Sequence, residues 1–67
     1  MVNLDLLKTT INDRGITIVS IAGKMGISRE GLYKKLSGEA EFKASEIEKM
    51  TDALRLSKKE RDTIFFA

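Results

Sequence analysis

The chain has 67 residues, of which 42% are hydrophobic and 33% charged, a composition typical of one small globular domain and not of a disordered segment. It contains neither cysteine nor histidine, which excludes zinc fingers, disulfide frameworks, and thiol or imidazole nucleophiles. With 12 Lys and Arg against 10 Asp and Glu, the net charge of +2 does not by itself identify a nucleic-acid-binding protein.

The charges are unevenly distributed along the chain. Residues 1–37 carry six basic and three acidic side chains, whereas residues 38–67 carry six basic and seven acidic ones. No apolar run approaches the length of about 18 residues that a membrane span needs, and the N-terminus has no basic segment followed by an apolar one. We therefore expect a cytoplasmic protein without a membrane partner.

Proline is absent from the chain, so glycines and capping residues are the signals that mark the helix ends. Asn3 is predicted to cap a first helix, whose apolar residues repeat at helical spacing and which ends before Gly15. Thr17 is predicted to cap a short second helix that ends before Gly26. A third helix is expected to begin after a cap at Ser28.

Two serine–glutamate pairs predict two further helices. Ser45 with Glu48, and Ser57 with Glu60, both have the spacing of a capping box. No segment alternates between apolar and polar residues at period two, so no strand is predicted. The predicted fold is all-α: a single domain, residues 1–67, formed as a compact bundle of about five short helices.

The strongest functional signal lies between Thr17 and Gly38. The turn between the second and third predicted helices is too short for antiparallel packing, so these helices are expected to cross steeply. Ala22 allows the two helix axes to approach closely, Gly26 permits the positive φ of a sharp turn, and Ile27 fills the angle between the helices.

This pattern resembles the helix-turn-helix of the phage repressor and Cro family of transcription regulators. The resemblance rests on seven residues at matching spacing, which are Ile21, Ala22, Met25, Gly26, Ile27, Ser28 and Leu32. It covers about a third of the chain, and one predicted helix before it and two after it match the arrangement of such domains. It implies a lambda-repressor-like DNA-binding domain.

The resemblance also implies that the third helix, over about residues 28–37, enters the major groove of duplex DNA. The family's base-reading positions fall on Ser28, Arg29, Glu30, Tyr33 and Lys34. Rotation by about 100° per residue also places Glu30, Tyr33 and Lys34 opposite the predicted core. Arginine can pair with guanine, glutamate can accept from cytosine, and lysine can reach guanine or phosphate.

Thr17, with the free amides that begin the second helix, and Lys35 are the expected phosphate contacts. The chain departs from the family pattern at three places. Ile18 stands where a polar phosphate contact is common, and Lys43 stands where Ser or Thr tends to cap the fourth helix. The loop at residues 38–42 is acidic, whereas the corresponding loop of the family follows the DNA backbone.

The end of the fifth predicted helix is strongly apolar. We expect Ile64, Phe65 and Phe66 to contribute to a homodimer interface, because a small core hides only limited apolar surface. Pairing two subunits would place their recognition helices about 34 Å apart, one turn of duplex. The alternative is that Ile64 and Phe65 pack beneath the first and fourth helices.

We therefore predict a small phage-like or prophage-like transcriptional regulator that binds a double-stranded DNA operator as a homodimer. The sequence suggests no cofactor, metal, small-molecule ligand or catalytic site. An alternative function is a protein-binding helix-turn-helix module of the antirepressor or antitoxin type. The near-neutral charge and the acidic loop favour this alternative, whereas the basic residues of the third helix favour DNA.

Overall fold

Five α-helices and no β-strand form the structure, a computed structural model that describes residues 1–67. The helices, in chain order, are α1 (Leu4–Arg14), α2 (Ile18–Met25), α3 (Arg29–Leu36), α4 (Ala44–Leu54) and α5 (Lys58–Phe65). The all-α prediction with five helices is therefore confirmed. None of these helices has the length and apolar character that crossing a membrane requires.

Local caps determine where four of the helices begin. The side chains of Asn3, Thr17 and Ser28 each accept a hydrogen bond, at 3.0–3.1 Å, from the backbone N–H three residues later. Ser57 and Glu60 form both bonds of a capping box, at 3.1 Å and 2.9 Å. These caps satisfy N–H groups that have no partner inside the helix, and all four agree with the sequence prediction.

The start of α4 differs from the prediction, which places the cap at Ser45. The N-cap residue is Lys43, and its backbone N–H donates to Oε1 of Glu46 at 2.8 Å. This contact is one half of a capping box, and a lysine side chain has no acceptor to supply the other half. The Ser45–Glu48 prediction is therefore wrong, because Glu46 caps the helix at Lys43, two residues before Ser45.

The connection between α2 and α3 is the sharp turn that the sequence predicts. Gly26 ends α2 in the left-handed conformation, with a φ of 71°. Its N–H donates to the carbonyl of Gly23 at 3.2 Å, and the N–H of Ile27 donates to the carbonyl of Ala22 at 3.0 Å. These bonds satisfy the last carbonyls of α2 and allow α3 to begin after only three intervening residues.

One hydrophobic core holds the five helices together. Its thirteen buried side chains are Leu7, Ile11, Ile21, Ala22, Met25, Leu32, Leu36, Met50, Ala53, Leu54, Leu56, Ile64 and Phe65. Within this core α2 packs mainly against α4, and α3 packs against α2 and α1. This packing fixes the inner face of α3 and leaves its other face in solvent.

The end of α5 corrects the predicted dimer interface. Ile64 and Phe65 are each only 2% exposed, and the ring of Phe65 meets that of Phe42 edge-on, with 5.4 Å between ring centres. The prediction that these two residues pair subunits is wrong, because the core of a single chain already buries them. Phe66 is 61% exposed and is the part of the predicted interface that remains on the surface.

Candidate nucleic-acid interface

The outer face of α3 is exposed along the whole helix. Its side chains, together with the C-cap residue, are Arg29, Glu30, Tyr33, Lys34 and Ser37. On the opposite face Leu32 and Leu36 are buried. The helix therefore presents a polar surface on the side opposite these two leucines, and a helix diameter of about 10–12 Å matches the width of the major groove.

The charged groups on this face have no partners within the chain. The three ion pairs of the structure are Arg14–Glu60, Lys35–Glu46 and Arg61–Asp62. Arg29, Glu30 and Lys34 belong to none of these pairs and are exposed. Their donors and acceptors are free for an external partner, so binding would break no interaction that holds the fold together.

Tyr33 occupies an intermediate environment. The residue is 57% exposed, and its side chain lines a shallow, mostly apolar depression together with Ile18 and Leu36. One side of the ring therefore covers apolar surface while much of the residue faces solvent. This placement holds the ring in position beside the charged residues of α3, where its hydroxyl is a further polar group of the outer face.

Ser28 and Thr17 combine a structural role with exposure. Each side-chain oxygen accepts a capping hydrogen bond, from Gly31 and from Ser20 respectively, and both residues are on the surface. A hydroxyl that accepts one bond still has a proton to donate. The first turn of α2 contains no acidic residue, so its positive end is not neutralised from within the helix.

The structure places Lys35 in a different role from the one predicted. Its Nζ donates to Oε1 of Glu46 at 2.9 Å and to the backbone oxygen of Glu41 at 3.2 Å. The side chains of Lys35 and Glu46 are only 12% and 14% exposed, and the ammonium lies 6.0 Å from the ring centre of Phe42. Lys35 therefore does not fit the predicted phosphate contact.

The environment of Glu46 favours the ionised carboxylate. Partial burial raises its pKa, but the backbone hydrogen bond from Lys43, the side-chain bond from Lys35 and both positive charges act in the opposite direction. The net pKa lies below the ordinary value of 4.5. The hydrogen bonds and charges around the Glu46 carboxylate therefore stabilise the fold fully at pH values above 4.5. This stabilisation disappears as the pH falls through the lowered pKa.

We expect Glu46→Gln to destabilise the protein more at pH 7 than at pH 3, because the pKa of Glu46 lies below 4.5 in the folded protein and the wild type progressively loses the carboxylate charge as the pH falls through it. Glutamine keeps an acceptor for the Lys43 amide and removes only the charge. Thermal melts of the wild type and the variant at both pH values measure the difference. An equal loss at the two pH values would show that the charge of Glu46 contributes nothing.

Lys8 is a candidate phosphate contact that the sequence pattern does not predict. This exposed lysine of α1 lines the same depression as Tyr33 and Ser37 and forms no ion pair. It therefore supplies a free cation beside the outer face of α3. The residue pattern carries a weak signal for this placement, since Lys8 lies three residues before the buried Ile11 and thus near the edge of the inner face of α1.

The acidic loop lies at the C-terminal end of α3. The backbone N–H groups of Glu39 and Ala40 donate to the carbonyl of Lys34 at 2.9 Å and 3.1 Å, and the carboxylates of Glu39 and Glu41 are exposed. Unpaired carboxylates repel a phosphate backbone. The two carboxylates therefore disfavour contact between this loop and an anionic partner.

Comparisons of this chain with models of protein families, with curated proteins and with solved structures found no match.

Proposed function

We propose that this chain is a small cytoplasmic transcriptional regulator of the phage repressor and Cro type, which binds duplex operator DNA. In this proposal α2 and α3 act as a helix-turn-helix and α3 enters the major groove. The observation that carries the proposal is the outer face of α3, where Arg29, Glu30, Tyr33 and Lys34 are exposed and the three charged groups are unpaired.

Each residue of this face has a chemical counterpart on DNA. Arg29, at the N-terminal end of α3, is suited to a bidentate contact with O6 and N7 of a guanine. Glu30 is suited to accept from N4 of a cytosine, and Lys34 to reach a guanine or a phosphate. Ser28 can donate its free hydroxyl proton to a base edge, and Tyr33 can contact a thymine methyl or donate to an acceptor.

Phosphate contacts would hold this helix in register on the duplex. Thr17 and the free amides at the start of α2 offer neutral donors, and Lys8 offers a positive charge on the α1 side. Lys8 replaces Lys35 in this proposal. So small a set of phosphate contacts gives one subunit weak affinity for DNA. A homodimer on a two-fold site has twice as many contacts.

The proposal is tested by selecting duplexes from a random pool with the purified protein and titrating the enriched sequence at several salt concentrations. We expect affinity for this sequence to exceed that for a scrambled duplex by at least about 10³-fold at the same salt. Enrichment of no duplex at low salt would favour the second candidate, a protein-binding module. The exposed carboxylates of Glu39 and Glu41 are the observation in favour of that second candidate.

For the homodimer, we propose Phe66 as the apolar anchor, with the Arg61 guanidinium 6.0 Å from its ring centre. Phe66→Ala is expected to lower the apparent mass in sedimentation and to weaken operator binding, while helix content is unchanged, because the side chain lies outside the core. Val19→Ala is the matched control for the apparent mass, since Val19 is similarly exposed, at 59%, on α2. A Phe66→Ala protein that remains dimeric would place the interface elsewhere.

A further inference from the structure

The C-terminal half of α3 is connected to α4 by a single polar cluster. Its members are the ammonium of Lys35 on α3, the carboxylate of Glu46 in the first turn of α4, and the backbone of Glu41 and Lys43 between them. The Oε1 atom of Glu46 accepts both from Lys35, at 2.9 Å, and from the Lys43 amide, at 2.8 Å. One carboxylate oxygen thus joins the recognition helix, the loop and α4.

This cluster holds a part of α3 for which the core provides little direct support from α4. The helix packs mainly on α1 and α2, through Leu32 and Leu36, while Lys35 lies beside these leucines at the edge of the buried face. The low exposure of Lys35 and Glu46, at 12% and 14%, reduces their screening by solvent. The ion pair is therefore suited to restrict rotation of α3 about its own axis.

We propose that Lys35 is a positioning residue for base recognition: through Glu46 it sets the orientation in which the outer face of α3 meets the bases. This inference rests on the proposed function. Base contacts are directional, and side chains that form them need a rigid support to within about 0.5 Å. Phosphate contacts depend less on direction and do not distinguish sequences. Loss of the Lys35–Glu46 pair should therefore reduce specificity more than general affinity for DNA.

The test measures binding of each variant to the selected operator and to a scrambled duplex, at a temperature where circular dichroism shows every variant to be folded. We expect Lys35→Met to lower the ratio of the two affinities about tenfold, comparable to the loss of one base contact. Glu46→Gln should lower the ratio less, because its amide oxygen can still accept from Lys35 but carries no negative charge. The double variant should lose no more than Lys35→Met alone, since Lys35→Met already removes the whole of the interaction that Glu46→Gln weakens. Lys35→Arg should keep the wild-type ratio, because a guanidinium can donate to the same oxygens of Glu41 and Glu46.

Lys49→Met provides the matched control for removal of a positive charge. Lys49 is exposed on α4 and belongs to no ion pair, so we expect the affinity ratio to remain unchanged. Glu46→Gln keeps the acceptor for the Lys43 amide and has the same size as glutamate. Glu46→Gln therefore supplies a folded variant even if the apolar side chain introduced by Lys35→Met disrupts the cluster.

Two results would overturn the positioning role. If Lys35 contacts phosphate, Glu46→Gln raises affinity for every duplex and Lys35→Met reduces the salt slope by about one unit. If the pair serves only stability, both variants melt at lower temperature while the affinity ratio is unchanged. Failure of the proposed function is measured separately, in the selection from a random pool, where the wild-type protein would then enrich no duplex. That result would remove the positioning role as well.

Discussion

Replacing Arg29 and Lys34 together with alanine is expected to weaken operator binding by about 2–6 kcal/mol, since each base contact contributes about 1–3 kcal/mol. Both side chains are exposed and unpaired, so their removal leaves the core and the ion pairs intact. We expect the melting temperature to change little. Arg29→Ala alone should also relax the preference at one base pair, because a bidentate contact reads a particular base.

The measurement is a titration of labelled duplexes at several salt concentrations. Lys24→Ala combined with Lys49→Ala is the matched control, since it removes two positive charges from exposed positions outside α3. The control should lower affinity for all duplexes slightly and equally, while the Arg29 and Lys34 variant should lose mainly operator affinity. Full operator affinity in the Arg29 and Lys34 variant would contradict the assignment of α3 as the reading helix.

The features that the sequence predicts correctly are those determined by near neighbours in the chain. The caps at Asn3, Thr17 and Ser28 each involve a hydrogen bond over three residues, and the turn at Gly26 closes within α2 itself. The outer face of α3 follows from helical rotation once Leu32 is placed inside. Such relations are contained in the residue spacing, so no knowledge of tertiary packing is needed to predict them.

The features that the sequence predicts wrongly depend on partners distant in the chain or on a choice between equivalent local signals. The side chain of Lys35 is directed to Glu46, eleven residues away, and Phe65 packs against Phe42. Residue type does not distinguish a lysine that contacts solvent from one that reaches a partly buried carboxylate. At the start of α4, Glu46 and Glu48 are both spaced to complete a capping box. The ion pair with Lys35 is a contact that favours Glu46.

The second large effect is expected at two neighbouring glycines, where the same substitution should have opposite signs. Gly26 ends α2 with a φ of 71°, and placing alanine in this left-handed conformation costs about 1–2 kcal/mol. Gly23 lies within α2, is exposed, and has no atom within 4 Å of where a Cβ would stand. Alanine there should stabilise the helix by about 0.5–1 kcal/mol, because glycine loses more backbone entropy on folding.

Chemical denaturation monitored by circular dichroism measures both free energies of unfolding, and the two single variants should differ by about 1.5–3 kcal/mol. A Cβ at Gly26 also meets no atom within 4 Å, so a loss of stability there reports backbone strain and not a clash. Equal stability of the two variants would show that the turn can relax away from its left-handed conformation. The crossing of α2 and α3 would then depend on the packing of Ala22 and Ile27 and not on the glycine, and the spacing of these residues would lose its value as a sign of a helix-turn-helix.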